Sequence, residues 1–338
     1  MSPTSCTESS TRLDWGRAPW WLPTGHLQTV YASLAGPGLK PEATPWVRER
    51  WSTPDGDWVW VDHCSPTGQA VTATLVLFHG LEGNRDSHYA QAFAQAANAR
   101  GWRMVLPHFR GCGGGLNDQP RAYHSGDHEE LNWMLGGIHK RWPGRLFAVG
   151  ISLGGNALLR WAQEQGAQQP VQAIASLCAP LDLVASGLGL EQGLNRWLYT
   201  PRFLRTMKPK ARALHARFPG AFDVARTDRA TTLREFDDAF TAPLHGFDGV
   251  MDYWTRASAK PHLHRMALPA LVVNPLNDPF VPAHSLPTEQ TVHPNTVLCQ
   301  PQTGGHLGFV QGAFPGHLKA WPEQVMNWLD RTGAAHHG

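Results

Sequence analysis

The sequence predicts an α/β fold with a mostly parallel central sheet, flanking helices and a helical insertion. Three observations carry this. Short runs that are apolar throughout recur along the chain, the stretches between them have the apolar spacing of helices, and that alternation stops between residues 183 and 261. Runs so short and uniformly apolar suit strands buried on both faces. Strands alternating with helices imply a parallel sheet with right-handed crossovers. The 338 residues are 42% hydrophobic and 17% charged, which suits a large core and excludes a disordered chain.

Residues 1–45, rich in Pro, Gly and Trp, read as an irregular arm. The alternating runs Trp46–Trp51 and Trp58–His63 flank Pro54-Asp55-Gly56-Asp57, a hairpin pattern. Buried strands are expected at Leu75–Phe78, Met104–Leu106, Leu146–Val149, Ala173–Leu177 and Leu271–Val273. Helices are expected at Ser87–Arg100, His128–Trp142 and Leu153–Gln165, with a last strand at Thr296–Cys299 and a last helix around Glu323–Leu329. Residues 46–182 and 262–332 then form the core, 183–261 a helical cap, and 333–338 a frayed tail.

Charge excludes some functions. There are 29 Lys+Arg against 27 Asp+Glu, a net +2, and no basic block, so nothing supports nucleic-acid binding. The five cysteines are scattered without a CxxC pair, which points to neither a disulfide framework nor a zinc site. The N-terminus lacks the charged start and apolar run of a signal peptide. No stretch approaches the roughly 18 apolar residues of a membrane span. The expectation is a cytoplasmic protein without stable membrane insertion. Its 15 Trp imply large apolar contact surfaces but name no ligand.

The sharpest motif is Gly150-Ile151-Ser152-Leu153-Gly154-Gly155, after the strand ending at Val149 and before a helical stretch. That is the context of a G-x-S-x-G elbow, where a tight strand-to-helix turn lifts a serine and needs small neighbours. Ser152 is therefore the expected nucleophile. A serine hydroxyl needs a base, itself oriented by an acid. In the chain order Ser, Asp, His, Asp278 follows the late strand, and Asp182 is a weaker rival. His306 lies between glycines in Thr303-Gly-Gly-His-Leu-Gly308. The oxyanion donors are expected to be the backbone N–H groups of Leu153 and of Leu81, the latter in His79-Gly-Leu-Glu-Gly83 after the first buried strand. His79 reads as a brace for that loop and Glu82 as a solvated carboxylate.

These residues together resemble the α/β-hydrolase superfamily, and more narrowly its YheT-like branch, related to the abhydrolase proteins of eukaryotes. Gly25-His-Leu-Gln-Thr29, Phe109-Arg-Gly-Cys-Gly113, Arg121-Ala-Tyr-His-Ser-Gly126 and Arg234-Glu-Phe-Asp-Asp238 with Gly246-Phe247 add to the resemblance over nearly the whole chain. It implies a serine carboxylester hydrolase acting on short- to medium-chain acyl groups, with a helical cap. Acyl transfer to an alcohol is seen among relatives. Members often carry Asp-Asp-Pro at the acid; here Asn277-Asp278-Pro279 leaves Asp278 as the candidate in that loop.

Other features have plainer readings. The glycine-rich run after Phe109 lacks the Lys-Ser/Thr ending of a phosphate-binding loop. Arg110 reads as a buried brace with Asp127 as partner, and Cys112 has no histidine placed to activate it. His124 and His128 straddle a helix start that Ser125 can cap. Asp237-Asp238 read as a solvated or Arg-paired couple. Trp197, Tyr199, Phe203 and Leu204 either line an acyl pocket or form the cap's own core. The arm either packs beside the site or mediates dimerisation. The expected function is hydrolysis of a small-molecule carboxylic ester through an acyl-enzyme, with no cofactor and no metal. The alternatives are an acyltransferase and a catalytically silent scaffold on the same fold.

Overall fold

The computed structural model describes residue 13 and residues 15–36, 45–165 and 169–335. The N-terminal residues bearing on a signal peptide, and residues 336–338 of the expected tail, lie outside these. Eight strands form one sheet: β1 (Val47–Ser52), β2 (Trp58–Cys64), β3 (Ala73–Phe78), β4 (Trp102–Pro107), β5 (Leu146–Ile151), β6 (Ala173–Leu177), β7 (Ala270–Val273) and β8 (Thr296–Cys299). Their order is β1-β2-β4-β3-β5-β6-β7-β8. The β1/β2 and β2/β4 pairs are antiparallel and the others parallel.

Alternation along the strands builds a core on each face. Leu75 and Leu77 of β3 join Phe93 and Trp321 in one cluster. Val76 and Phe78 join Leu131, Leu135, Leu158 and Trp161 in the other. The helices responsible are α2 (His88–Ala99) and α12 (Ala320–Ala335) on the first face, α3 (His128–Arg141) and α4 (Leu153–Gln165) on the second. An earlier helix, α1 (Gly25–Ala35), stands within the arm that composition alone rendered irregular. Thr24 caps it, its hydroxyl accepting from the Leu27 N–H at 3.3 Å.

Between β6 and β7 the chain makes α5 (Leu183–Leu190), α6 (Gly193–Leu198), α7 (Thr200–Arg217), α8 (Val224–Arg229), α9 (Leu233–Phe236), a π-helical turn at Asp237–Thr241, α10 (Ala242–Leu244) and α11 (Val250–Ala257). This segment has its own apolar cluster, including Leu204, Leu214, Phe222, Phe236 and Phe240. Asn156, from the first turn of α4, ties its far end to the core. Its amide donates to the carbonyl oxygens of Ser125 (2.9 Å) and Ala257 (2.8 Å), and its oxygen accepts from the Ala259 N–H (2.9 Å).

Two buried ionic clusters depart from the sequence reading or extend it. Arg110 does not bind Asp127: its guanidinium donates to Asp55 (2.8 Å), Asp57 (3.0 Å) and Glu130 (2.5 Å). The hairpin turn and α3 converge on it, whereas Asp127 takes Arg121 at 2.8 and 3.0 Å. Asp127 occupies the N-cap of α3 without capping it by its side chain. The Ser125 hydroxyl likewise accepts from Asn156 rather than from the helix. In the second cluster, Asp62 accepts from Arg48 (2.6 Å) and lies 2.7 Å from Nε2 of His108. Cys64, Cys112 and Cys178 are buried free thiols, while Cys299 is disulfide-bonded, a bond the scattered spacing does not foretell.

Removing a buried cation strands its carboxylates in a medium that solvates them poorly. Arg110→Ala is therefore expected to cost about 3–5 kcal/mol in urea unfolding; a loss near zero would show that the cluster does not stabilise the fold. For Asp62, burial pushes the carboxyl up, yet hydrogen bonds from Arg48 and His108 hold it down to about 2. Its folded value lies below the unfolded value of about 3.9, so its contribution is present above about pH 4 and is lost as pH falls toward 2. Melting temperature against pH should flatten on that acid limb in Asp62→Asn, and an unchanged slope would contradict this.

Candidate active site

The loops that matter leave the carboxyl ends of parallel strands, beside the place where strand order reverses around β3 and β5. Such crevices are the usual ligand sites of α/β sheets. Ser152 follows β5 with φ +53°, in the left-handed region that non-glycine residues seldom occupy. Its N–H donates to the Leu177 carbonyl at 2.8 Å. The turn is possible because its neighbours lack side chains. A Cβ on Gly150 would stand 2.5 Å from the Gly154 oxygen, and one on Gly154 would stand 2.5 Å from the carbonyl oxygens of both Phe78 and His79.

From this turn the Ser152 hydroxyl lies 3.0 Å from His306 Nε2, and His306 Nδ1 lies 2.8 Å from Asp278 Oδ2. All three expected residues thus meet, on loops after β5, β7 and β8. Asp278 is buried, and its other oxygen accepts from the Phe280 N–H at 2.8 Å. The Phe280 ring lies against the imidazole, with centroids 4.2 Å apart. The rival, Asp182, is engaged elsewhere: it caps α5 through the Ala185 N–H (3.0 Å) and faces Lys260 at 3.5 Å.

Leu81 and Leu153 border the same cavity as Ser152. Among the described residues neither N–H has an acceptor, and the Leu153 N–H opens α4, where the helix dipole favours negative charge. His79 underlies this loop. Its Nδ1 lies 2.8 Å from the Gly80 oxygen and its Nε2 accepts from the Phe109 N–H at 3.2 Å. Burial, helped by nearby His108, holds its pKa down to about 3, so the ring is neutral.

The arm's role was open in the sequence, and the structure places α1 against the histidine loop. The His306 N–H donates to the Thr29 hydroxyl (2.8 Å), and the Gly304 N–H to Gln28 Oε1 (2.9 Å). Asn277 joins in from the acid's loop. Its amide nitrogen donates to Gln28 Oε1 (3.1 Å) while its oxygen accepts from the Gly305 N–H (2.9 Å). An aspartate there would lack that donor.

Other expectations change. Glu82 is not solvated: it accepts from the Tyr123 hydroxyl (2.9 Å) and pairs with Lys210 of α7 at 2.8 Å. Nothing local signals this link, since its three members are far apart in sequence. Cys112 is buried and pushed up to about 12, which leaves it a protonated thiol. Of the four cap residues, Phe203 borders the inner cavity, Tyr199 borders an outer one, Leu204 belongs to the cap core, and Trp197 is 76% exposed. Asp238 pairs with Arg226 at 2.5 Å, but Asp237 is held by Thr241 (2.6 Å) and Trp254 (2.9 Å), and burial raises it to about 6. Cys178, Asp278 and His306 offer donor atoms within 4.8 Å of one another. Burial, and the Asp278 charge after it, keep the Cys178 thiol well above its ordinary pKa, which opposes the thiolate that a metal would require.

The profile of the family described by the alpha/beta hydrolase fold matches residues 73–313. This chain belongs to the α/β-hydrolase family. Within the family, an Escherichia coli strain K12 protein named "Putative esterase YheT" is 36% identical over 316 residues, 90% of this chain and 89% of that one. The human protein named "Phospholipase ABHD3" is 30% identical over 279 residues, 81% of this chain and 66% of that one. Among solved structures, a Pyrococcus furiosus esterase matches with a TM-score of 0.54 at 15% identity, covering 86% of this chain and 92% of its own. The 2,6-dihydroxy-pseudo-oxynicotine hydrolase matches at 0.58 with 18% identity, covering 92% and 72%. These two show the fold alone. No helix among the described residues is long and apolar enough to cross a membrane.

The Thr29 hydroxyl accepts from a buried backbone donor, and leaving such a donor unmet costs its desolvation. Thr29→Val is expected to lose about 1–3 kcal/mol of stability and to speed amide exchange at His306. If exchange there were unaltered, the arm would not be holding the loop.

Proposed function

We propose that this protein hydrolyses carboxylic esters of short- to medium-chain acids through an acyl-enzyme on Ser152. The observation that carries the reading is the unbroken hydrogen-bonded chain from Ser152 through His306 to Asp278, opening on a largely apolar cavity between core and cap. Cavities of that kind suit apolar chains. Relatives named esterase and phospholipase support an ester as substrate.

In this mechanism His306 Nε2 takes the hydroxyl proton as Ser152 Oγ bonds to the acyl carbon. Asp278 holds the ring through Nδ1–H and stabilises its charged form. The carbonyl oxygen becomes an oxyanion between the Leu81 and Leu153 N–H groups. His306 then gives its proton to the departing alkoxide, so the alcohol leaves neutral. Water attacks the acyl-enzyme with the same base, and the acid departs.

The test is hydrolysis of p-nitrophenyl esters of increasing acyl length. Ser152→Ala should lower turnover by about a thousandfold or more, and Asp278→Asn should also be severely impaired. Asp182→Asn should keep its activity and lose only about 0.5–2 kcal/mol from the weakened cap. Full activity in Asp278→Asn, with loss in Asp182→Asn, would reverse the acid assignment.

A further inference from the structure

Ser152 and His306 do not face one cavity but two. The inner cavity runs from Ser152 and Leu153 past Pro180, Leu183 and Ser186 to Leu190 and the cap. The outer cavity also contains Ser152 and His306, but it continues past Leu307 and His88 to Thr29, Val30 and Ser33 of α1. Leu81, Phe203 and Phe280 stand at the junction of the two.

Proton transfer decides which part of an ester lies where. The leaving oxygen must receive its proton from His306 Nε2, so it has to depart on the histidine side of the serine. That side is the outer cavity, bordered by Leu307 from the histidine's own loop and by the helix whose Thr29 accepts from the His306 N–H. The acyl chain then points the other way, past Leu153 toward Leu183 and Leu190.

We propose that α1 forms the wall of an alcohol subsite, so that the N-terminal arm sets which alcohols the enzyme accepts. The chemical class follows from the lining. Phe280 lies on the His306 ring at 4.2 Å and is flanked by Tyr199 (4.5 Å) and Phe203 (5.9 Å), whereas the polar lining residues Ser33, Asp86, Arg202 and Thr206 are exposed to solvent. The subsite fits a bulky alcohol with an apolar stem and a polar outer end, in preference to methanol or ethanol. This inference rests on the ester-hydrolase reading and adds the alcohol to it.

The experiment uses the full chain and two ester series. One fixes a butyryl group and varies the alcohol from methyl through benzyl to naphthyl; the other fixes p-nitrophenol and lengthens the acyl chain. Ser33 is exposed at the rim, so Ser33→Trp should fold. It is expected to lower the naphthyl-to-methyl ratio of kcat/KM by about tenfold without moving the acyl-length profile. Leu190→Phe, in the inner wall, should do the reverse. Val30→Ala serves as a second arm variant and should raise the ratio. If Ser33→Trp shortens the acyl profile, or if neither arm variant moves the ratio, the assignment is overturned.

Phosphonylation of Ser152 by phosphonates carrying methyl, benzyl or naphthyl leaving groups reads the same subsites without turnover. Should no ester turn over while phosphonylation shows the arm-dependent preference, the hydrolase reading fails and the subsite stands. Labelling that is indifferent to Ser33→Trp and Val30→Ala, or no labelling at all, overturns the subsite.

Discussion

The turn at Ser152 constrains much of what surrounds it. A left-handed serine between β5 and α4 forces the first helical turn close under the end of β3, where only glycine fits at Gly154. That closeness brings the start of α4 beside the loop after β3, so that Leu81 and Leu153, from separate elements, border one cavity. It also sets the start of α4, and hence Asn156, which fastens α11 and the segment before β7 to the core. The strained residue persists because the surrounding sheet and helix over-determine it.

The polar scaffold around the site consists of links between distant segments. Arg110 joins the hairpin turn to α3, Glu82 joins the loop after β3 to α7, and Gln28 joins the arm to both late loops. Each satisfies a buried or half-buried polar group that would otherwise lack a partner. The apolar clusters supply most of the cohesion on both faces of the sheet, while these links fix where the loops stand.

What could be read from the sequence follows from that division. The strands of the sheet and the flanking helices carry their own signatures, because two-sided burial makes a strand uniformly apolar and a half-buried helix periodic. The hairpin announced itself through Pro54-Asp55-Gly56-Asp57. Ser152, Asp278 and His306 were legible because each sits in a local context, and chain order did the rest. The partners of Arg110, the Glu82–Lys210 link and the inward position of Asp237 were not, since each depends on elements that meet only in the folded chain. The helix in the arm was hidden for a related reason. It owes its place to hydrogen bonds with residues around 277 and 304–306 rather than to a strong apolar stripe of its own.

The grip of Gln28 and Thr29 on Gly304 and His306 spans 276 and 277 residues of chain. Contacts of such long separation form late, since closing a long loop costs entropy before any contact offsets it. During synthesis the arm emerges well before the residues it grips, which follow 276 and 277 positions later. All eight strands of the sheet precede residue 304, whereas the imidazole's loop has its full set of contacts only when the arm and residues 304–306 are both present. The final geometry of the histidine therefore belongs to a late stage of folding, and partly made chains carry Ser152 without the imidazole that stands beside it.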